Sequence, residues 1–295
     1  MPISAIVLRP TSPAFAPVSS YYAAAPQEPT KRGALAVSQV ADFGSSFHGL
    51  LDAIIAWKRA YIVVVSHGSA ESGLNLPVAA ATKVVIGSAI DLLLSVVDSI
   101  SDDGKTANAE ALRAAANDSA LPEATVLKIA QKCWKIRWAN DLAFQVHIRG
   151  CDIGADRRHL RKIQRLFRSL VVSAPNCPML YTNVNPLGSG RGPVSDVVAW
   201  GNKNRPVGRR FIYTRPSGPG PLLLDLEYLG TKAASQAAVQ ATADVRKWAQ
   251  IFHDNLSTPS TNSFPVAALY PHDSDTYFLP HEPGYAERIV TVEST

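Results

Sequence analysis

A histidine and a cysteine each stand just beyond a short hydrophobic segment of this chain. His67 follows Tyr61–Ser66, and Cys151 follows Ala143–Arg149 and one glycine. Both segments are rich in β-branched or aromatic residues and are stopped by glycine, which is typical of buried strands. A thiol beside an imidazole can serve as a nucleophile with its own base. The two residues are therefore a candidate pair for covalent chemistry, provided that the fold brings them together.

The pattern around these residues favours a fold that would do so. Strands and helices alternate along residues 1–185, which predicts an α/β fold with a mainly parallel central sheet covered by helices on both faces. In such sheets, ligand sites form outside the carboxyl ends of the strands. Because His67 and Cys151 both lie at such ends, we expect them to meet in one crevice.

Hydrophobic periodicity and turn residues predict the individual elements. The predicted strands are Ile3–Leu8, Tyr61–Val65, Phe144–Ile148 and Met179–Thr182, with further ones at Val194–Trp200, Arg210–Thr214 and Leu222–Leu229. The predicted helices are Val37–Trp57, Ser88–Ile100 with Ser88 as its cap, Ala107–Ala116, Pro122–Trp138, a basic helix capped by Asp156, and Ala233–Phe252. Residues 10–34 are expected to form a long loop or a partly disordered crossover, because proline, alanine and serine dominate them.

The composition is that of an ordinary globular protein. The chain has 295 residues, 46% of them hydrophobic, which suffices for one large domain or two small ones. No apolar run approaches the roughly 20 residues that span a bilayer. The first residues show no charged leader before an apolar stretch. We therefore expect a cytoplasmic protein with no membrane partner.

The three cysteines are too few and too scattered for a disulfide framework or a metal site. Cys133 lies in a helical pattern and Cys177 lies between Asn176 and Pro178, so both are expected to be structural. His147 alternates with apolar neighbours inside its strand and is expected to pack in the interior. The chain has neither a glycine-rich nucleotide-binding loop nor a Gly-x-Ser-x-Gly elbow, so we expect no cofactor.

The net charge of +5 comes largely from one segment. Its basic residues are Arg157, Arg158, Arg161, Lys162, Arg165 and Arg168. Leu160, Ile163, Phe167 and Leu170 recur at helical spacing through the same segment, which indicates an amphipathic helix with a solvated basic face. The alternative is a nucleic-acid-binding patch. Because the chain lacks the aromatic–basic interleaving of common RNA modules, we do not expect nucleic acid as a partner.

The two strand-end motifs resemble those of the caspase-like cysteine peptidases, which include caspases, metacaspases, separases and the bacterial CHAT-type proteases. The motif pair falls on His67-Gly68 and Gly150-Cys151. The resemblance covers residues 1–185 and is nearest to the separase-like and bacterial branch. The chain departs from true caspases because the box Gln-Ala-Cys-Arg-Gly is absent. In addition, His67 and Cys151 are 84 positions apart, against roughly 50 in caspases.

The resemblance implies a three-layer caspase-like fold, with a catalytic core at residues 1–185 and an extension at residues 186–295 packed on the same domain. It implies a cysteine endopeptidase with Cys151 as nucleophile and His67 as acid–base. The backbone N–H groups of Gly68 and Cys151 would stabilise the oxyanion. An imidazolium, or the N–H groups of the turn after Cys151, is expected to lower the pKa of the thiol. The alternative is a catalytically inactive scaffold that binds partners through the same crevice.

The resemblance also implies a substrate. The residue two positions before the catalytic cysteine helps to line the primary specificity pocket in this family, and here it is Arg149. A guanidinium would pair with a carboxylate, so we predict cleavage of a protein after Asp or Glu, with Asp152 as a second substrate-binding residue. The alternative is that Arg149 forms a salt bridge with Asp152 or Asp156.

The bacterial relatives commonly act in defence or regulated-death systems and are switched on by a partner. An activating protein is therefore a predicted partner, beside the protein or peptide substrate. Residues 187–220, rich in glycine and arginine, are predicted to form an activation linker or a substrate-binding wall. The alternative is an exposed loop without a special role.

Overall fold

A computed structural model of the chain describes most of its first 186 residues and shorter stretches beyond them. The described residues are 3–7, 18, 21–22, 27–30, 33–42, 44, 46–57, 61–139, 144–186, 198–202, 205–214, 221–226, 264–269, 278 and 283–294.

Strands and helices alternate through the first part of the chain, and strands dominate the described residues after it. The strands are β1 Ile3–Val7, β2 Gln27–Thr30, β3 Gly33–Asp42, β4 Tyr61–Val65, β5 Gly68–Ser69, β6 Gly73–Leu74, β7 Gln145–Arg149, β8 Val171–Pro175, β9 Met179–Pro186, β10 Val198–Asn202, β11 Arg205–Thr214, β12 Pro221–Leu226, β13 Phe264–Leu269 and β14 Ile289–Glu293. The helices are α1 Phe47–Trp57, α2 Ile86–Asp98, α3 Ala109–Ser119, α4 Glu123–Ala139, α5 Arg157–Phe167 and α6 Pro283–Glu287, with a short 3-10 turn at Ile153–Ala155.

The first sheet has seven strands in the order β14-β8-β7-β4-β1-β3-β2. Its central strands, from β8 to β3, run parallel, and β14 and β2 lie antiparallel at the two edges. The strands that precede His67 and Cys151, β4 and β7, are neighbours in the middle of this sheet. The prediction of a mixed α/β fold with a mainly parallel sheet flanked by helices is therefore confirmed, and helices on both faces of the sheet stay a prediction.

Helices α1 to α5 share one hydrophobic cluster with one face of the sheet. The chain moves in one direction across the sheet from β3 to β4, β7 and β8, so right-handed crossovers place the connecting helices on the same face. Alternate residues of the central strands enter this cluster: Ile62, Val64, Val146, Ile148, Val172 and Ala174. The residues between them are also buried and belong to the opposite face: Val63, Val65, His147, Arg149, Val171 and Ser173. That face carries a histidine, an arginine and a serine inside the protein.

The prediction of a helix from Val37 is wrong, because residues 33–42 form β3 and α1 begins only at Phe47. The segment mixes alanine with β-branched residues, and its pairing with β1 decides the outcome. The predicted loop over residues 10–34 likewise contains β2.

The basic helix ends earlier than its apolar spacing predicted. It stops at Phe167, where Arg168 adopts the left-handed conformation with φ 49°. Leu170 therefore lies outside the helix, and β8, which the sequence did not predict, follows at once.

The other helices of this part agree with their predictions to within a few residues. For α2 the predicted cap Ser88 is wrong, because the cap position is Val85. Asp156 does cap α5, since its side chain accepts a hydrogen bond from the N–H of Arg158. The predicted helix Ala233–Phe252 lies outside the described residues.

The chain divides into two compact units at different places from the predicted boundary at 185. The first unit comprises Met1–Ser12, Ala25–Met179 and Pro280–Thr295, so the end of the chain returns to the first sheet as β14. The second unit comprises Pro13–Ala24 and Leu180–Leu279. It contains most of a five-stranded sheet in the order β10-β11-β12-β9-β13.

Candidate thiol–imidazole site

His67 and Cys151 occupy equivalent places beyond two adjacent parallel strands. Val65 and Arg149 are the last paired residues of β4 and β7. The N–H of Ser66 extends the pairing by donating to Arg149 O at 3.2 Å. His67 and Cys151 each lie two residues beyond that last pair, on strands separated by about 4.8 Å. The structure thus places both residues at one edge of the sheet, at the carboxyl ends of neighbouring strands.

The segments that leave the two strands touch each other through glycines. A Cβ added to Gly150 would lie 2.3 Å from Ser66 O. One added to Gly68 would lie 2.1 Å from Ile153 Cγ1 and 3.0 Å from Cys151 O. Because such distances are too short for a real Cβ, only glycine fits at these two positions.

The sulfur of Cys151 is half-buried and contacts the backbone at the start of β9. Its Sγ accepts from the N–H of Met179 at 3.4 Å and lies 3.6 Å from Met179 O, to which the thiol can donate. Burial raises the pKa of this thiol, the Met179 N–H opposes that effect, and the Asp152 carboxylate adds to it. The expectation of a thiol with a lowered pKa is therefore wrong for this conformation.

The His67 side chain is exposed, and its backbone is fixed. His67 O accepts a hydrogen bond from the N–H of Asn75 at 3.0 Å. Partial desolvation lowers the pKa of the imidazole. At neutral pH the site therefore contains an imidazole and a thiol that are both uncharged. Such a pair would react by transferring the thiol proton to the imidazole during attack, rather than from a preformed ion pair.

The hairpin pairing directs the Gly68 N–H away from β6. Hydrogen bonds flank the Gly68–Leu74 pair on both sides of this short hairpin, one of them from the Asn75 N–H to His67 O. Gly68 and Leu74 are therefore a pair that exchanges no hydrogen bonds, and their N–H groups point outward. The role of the Gly68 N–H as an oxyanion donor stays a prediction. The N–H of Asp152, in contrast, donates to Cys177 O at 3.1 Å.

Arg149 is fully buried, two residues before Cys151. Its Nη1 donates to Ile148 O at 2.9 Å and lies 3.4 Å from Ser173 Oγ. The same hydroxyl lies 2.8 Å from His147 Nδ1. The role of Arg149 in binding a substrate carboxylate stays a prediction. His147 is in the interior, as its strand position indicated.

The two aspartates near Cys151 differ in their surroundings. Asp152 follows Cys151 with φ 58°, a left-handed conformation, and its role in substrate binding stays a prediction. Asp156 caps α5 and forms an ion pair with Arg158 at 3.2 Å. The guanidinium and N–H of Arg158 hold the pKa of this carboxyl below its usual value.

The other two cysteines lie in the interior. Cys133 is buried in α4, and burial raises the pKa of its thiol to about 12. Cys177 is buried and holds the turn after Cys151 through its carbonyl. Within the described ranges, no group of three or more His, Cys, Asp or Glu side chains is arranged to hold a metal ion.

The basic face of α5 is partly neutralised by acidic residues of α2. Lys162 pairs with Asp91 at 2.6 Å, and Arg165 pairs with Asp98 at 3.1 Å. Arg137 of α4 also pairs with Asp98, at 2.7 Å. That nucleic acid is not a partner of this face stays a prediction.

Sequence reasoning missed the partners that hold the site in place. Cys151 is contacted by Met179, and Gly68 is contacted by Ile153. Leu74 is contacted by His159. No spacing rule links residues this far apart in the chain. Among the residues around the site, only Ser173, the neighbour of Arg149, had a local signal. It follows the β-branched pair Val171-Val172, which favours the strand β8.

No protein-family model, characterised protein or solved structure matches this chain. Across the part of the chain that the structure describes, no helix is long and apolar enough to cross a lipid bilayer.

Proposed function

We propose that this protein is a cysteine endopeptidase that uses Cys151 as nucleophile and His67 as acid–base. The observation that carries the proposal is the matched placement of the two residues, each two positions beyond the last paired residue of adjacent parallel strands. The edge formed by the carboxyl ends of parallel strands is where α/β proteins place their ligands. At that edge the imidazole is exposed and the thiol is half-buried.

The chemistry follows from these positions. His67 takes the thiol proton as Cys151 Sγ attacks the substrate carbonyl, and later gives it to the departing amine. The outward N–H of Gly68, with that of Cys151, stabilises the oxyanion; one such donor is worth about 3 kcal/mol in enzymes that use one. The proposal includes the three-layer caspase-like fold, a cytoplasmic location and an activating partner protein.

The uncharged state of the resting pair supports a need for activation. The pKa of the Cys151 thiol is raised and that of His67 is lowered, both first by burial. A partner that opens the site to water would reduce this effect of burial. The same observation favours a second candidate function, an inactive scaffold that binds partners at this edge.

Thiol alkylation distinguishes the two functions. The full chain is treated with iodoacetamide at pH 7.5, and modification of the three cysteines is followed by peptide mass spectrometry. The peptidase predicts that Cys151 reacts fastest and that His67→Ala slows it about tenfold or more. The scaffold predicts no dependence on His67. His48→Ala is the matched control, because His48 also precedes a glycine but lies in α1.

Cleavage is then tested on a peptide library with and without candidate activators. Loss of cleavage in both Cys151→Ala and His67→Ala, with cleavage retained in Cys133→Ala, is the expected result. Cleavage that survives Cys151→Ala would rule out the proposed nucleophile.

A further inference from the structure

We propose that His159 is a positioning residue. It holds the hairpin Gly68–Leu74 in place, and thereby holds the adjoining His67 in the position that the proposed catalysis requires. We call this hairpin, formed by β5, β6 and their connection, the His67 hairpin. The inference rests on the proposed function of His67 and Cys151, and it adds a residue that neither strand-end motif contains.

His159 makes a specific contact with the His67 hairpin at the end away from its turn. The imidazole is buried in the first turn of α5, and its Nε2 accepts a hydrogen bond from the N–H of Leu74 at 3.1 Å. Leu74 is in the pair that exchanges no hydrogen bonds across the hairpin, so its N–H needs an acceptor from elsewhere. The acceptor role requires the neutral imidazole with its proton on Nδ1.

The neighbouring glycine is shaped around the same ring. Gly73 has φ 59°, and a Cβ at this position would lie 2.0 Å from His159 Nε2. The left-handed backbone and the lack of a side chain together admit the imidazole. Only glycine at position 73 therefore leaves room for the His159 ring.

The contact connects the two halves of the candidate site. His159 lies in the helix that follows the Cys151 turn, and Leu74 precedes Asn75, whose N–H holds His67 O at 3.0 Å. Ile153, in the same turn, packs on Gly68 at the other strand of the hairpin. The hairpin is thus held at both strands by the segment that leaves Cys151. Loss of the His159 contact would leave the hairpin without a hydrogen bond from this helix to Leu74.

The charges around His159 are mixed. Burial lowers the pKa of the imidazole, Lys162 of the same helix lowers it further, and Asp156 and Asp91 oppose these effects. The contact with Leu74 therefore persists at neutral pH. It is expected to weaken in acid, where protonation removes the acceptor.

The test compares two substitutions of nearly equal size. His159→Gln keeps an acceptor near the position of Nε2, whereas His159→Leu keeps the volume but has none. We expect His159→Leu to increase amide hydrogen exchange at Leu74 about tenfold. It should also slow the His67-dependent alkylation of Cys151 about fivefold, and His159→Gln should stay close to wild type in both measurements. His48→Leu, in α1, is the control for loss of a histidine elsewhere.

A second variant protects the test against a folding defect at position 159. Gly73→Ala keeps a histidine at position 159 but pushes its ring away from Leu74. It should therefore reproduce both effects of His159→Leu. Equal behaviour of His159→Leu and His159→Gln, or wild-type exchange at Leu74 in His159→Leu, would overturn the inference.

The two proposals fail in different ways. If His67→Ala slows alkylation of Cys151 and His159→Leu does not, the positioning role alone is rejected. If His67→Ala has no effect, the proposed function is rejected and the positioning role with it.

Discussion

His147 Nδ1 lies 2.8 Å from Ser173 Oγ, across the two adjacent strands β7 and β8. Arg149 Nη1 lies 3.4 Å from the same oxygen and donates to it. The other ring nitrogen, His147 Nε2, is buried and has no hydrogen-bond partner among the residues the structure describes. Protonation of His147 would place a second positive charge beside Arg149.

We predict that His147 makes the fold less stable in acid. Burial first, and then the charge of Arg149, lower the pKa of His147 from 6.5 to about 3. Below pH 6.5, His147 is therefore protonated in the unfolded chain, whereas in the folded chain it stays neutral down to about pH 3. The free energy of unfolding is not reduced by His147 above pH 6.5. Below that pH it falls by about 1.4 kcal/mol per pH unit.

Urea denaturation at pH 7, 6 and 5 measures this dependence. His147→Gln should reduce the slope of unfolding free energy against pH, although it lowers stability at pH 7. His48→Gln, which alters a less buried histidine, should keep most of the wild-type slope. An unchanged slope in His147→Gln would show that His147 is not the group responsible.

We predict that the reactivity of Cys151 rises with pH well above neutrality. Burial raises the pKa of its thiol, so the thiolate fraction is small at pH 7 and grows as the pH increases. Rates of iodoacetamide modification between pH 6 and pH 10 give the profile. A rate that does not increase between pH 8 and pH 10 would contradict the prediction, because the thiolate fraction of a thiol with a raised pKa must still grow in that range. Cys133, whose pKa is about 12, is the internal reference.

We predict that Gly68→Ala damages the site through Ile153. The new Cβ would meet Ile153 Cγ1 at 2.1 Å, so the turn after Cys151 must shift. The expected cost is about 1–3 kcal/mol of stability, as for other overpacked positions. Cys151 alkylation should fall with it.

The double variant Gly68→Ala, Ile153→Ala tests the cause. It removes the colliding atoms, so the effects of the two substitutions on Cys151 reactivity should be non-additive. Additive losses would place the cause at the remaining contact with Cys151 O.

We predict that Arg149 sets a preference for an acidic residue before the cleaved bond. In a peptide library, Arg149→Gln should lose that preference, because an amide forms no bidentate ion pair with a carboxylate. Since Arg149 is fully buried, the thermal unfolding of the variant is measured alongside. A folded Arg149→Gln protein with unchanged preference would remove Arg149 from the specificity site. Ser173→Ala, which alters a neighbour of the guanidinium, is the control for packing.

The sequence predicted the elements in which local pattern and environment agree. β4 is a short apolar run, β7 alternates Val146 and Ile148 with polar residues, and both form buried strands at the centre of the sheet. Asp156 was identifiable as a cap because a short acceptor side chain before a helix satisfies free N–H groups. β3 was missed because its alanines fit a helix equally well, and only pairing with β1 made it a strand. β8 was missed because Leu170 happened to continue the helical spacing of α5.

The sequence by itself determined that a histidine and a cysteine end two hydrophobic strands, because strand ends and glycine stops are local properties. The tertiary structure decided that those strands are neighbours in matching register, and it decided the charge state of both side chains. Register depends on which strands pair, and the pKa of a side chain depends on its burial and on hydrogen bonds such as the one from the Met179 N–H to Cys151. Both are set by residues far away in the chain, and no local pattern contains them.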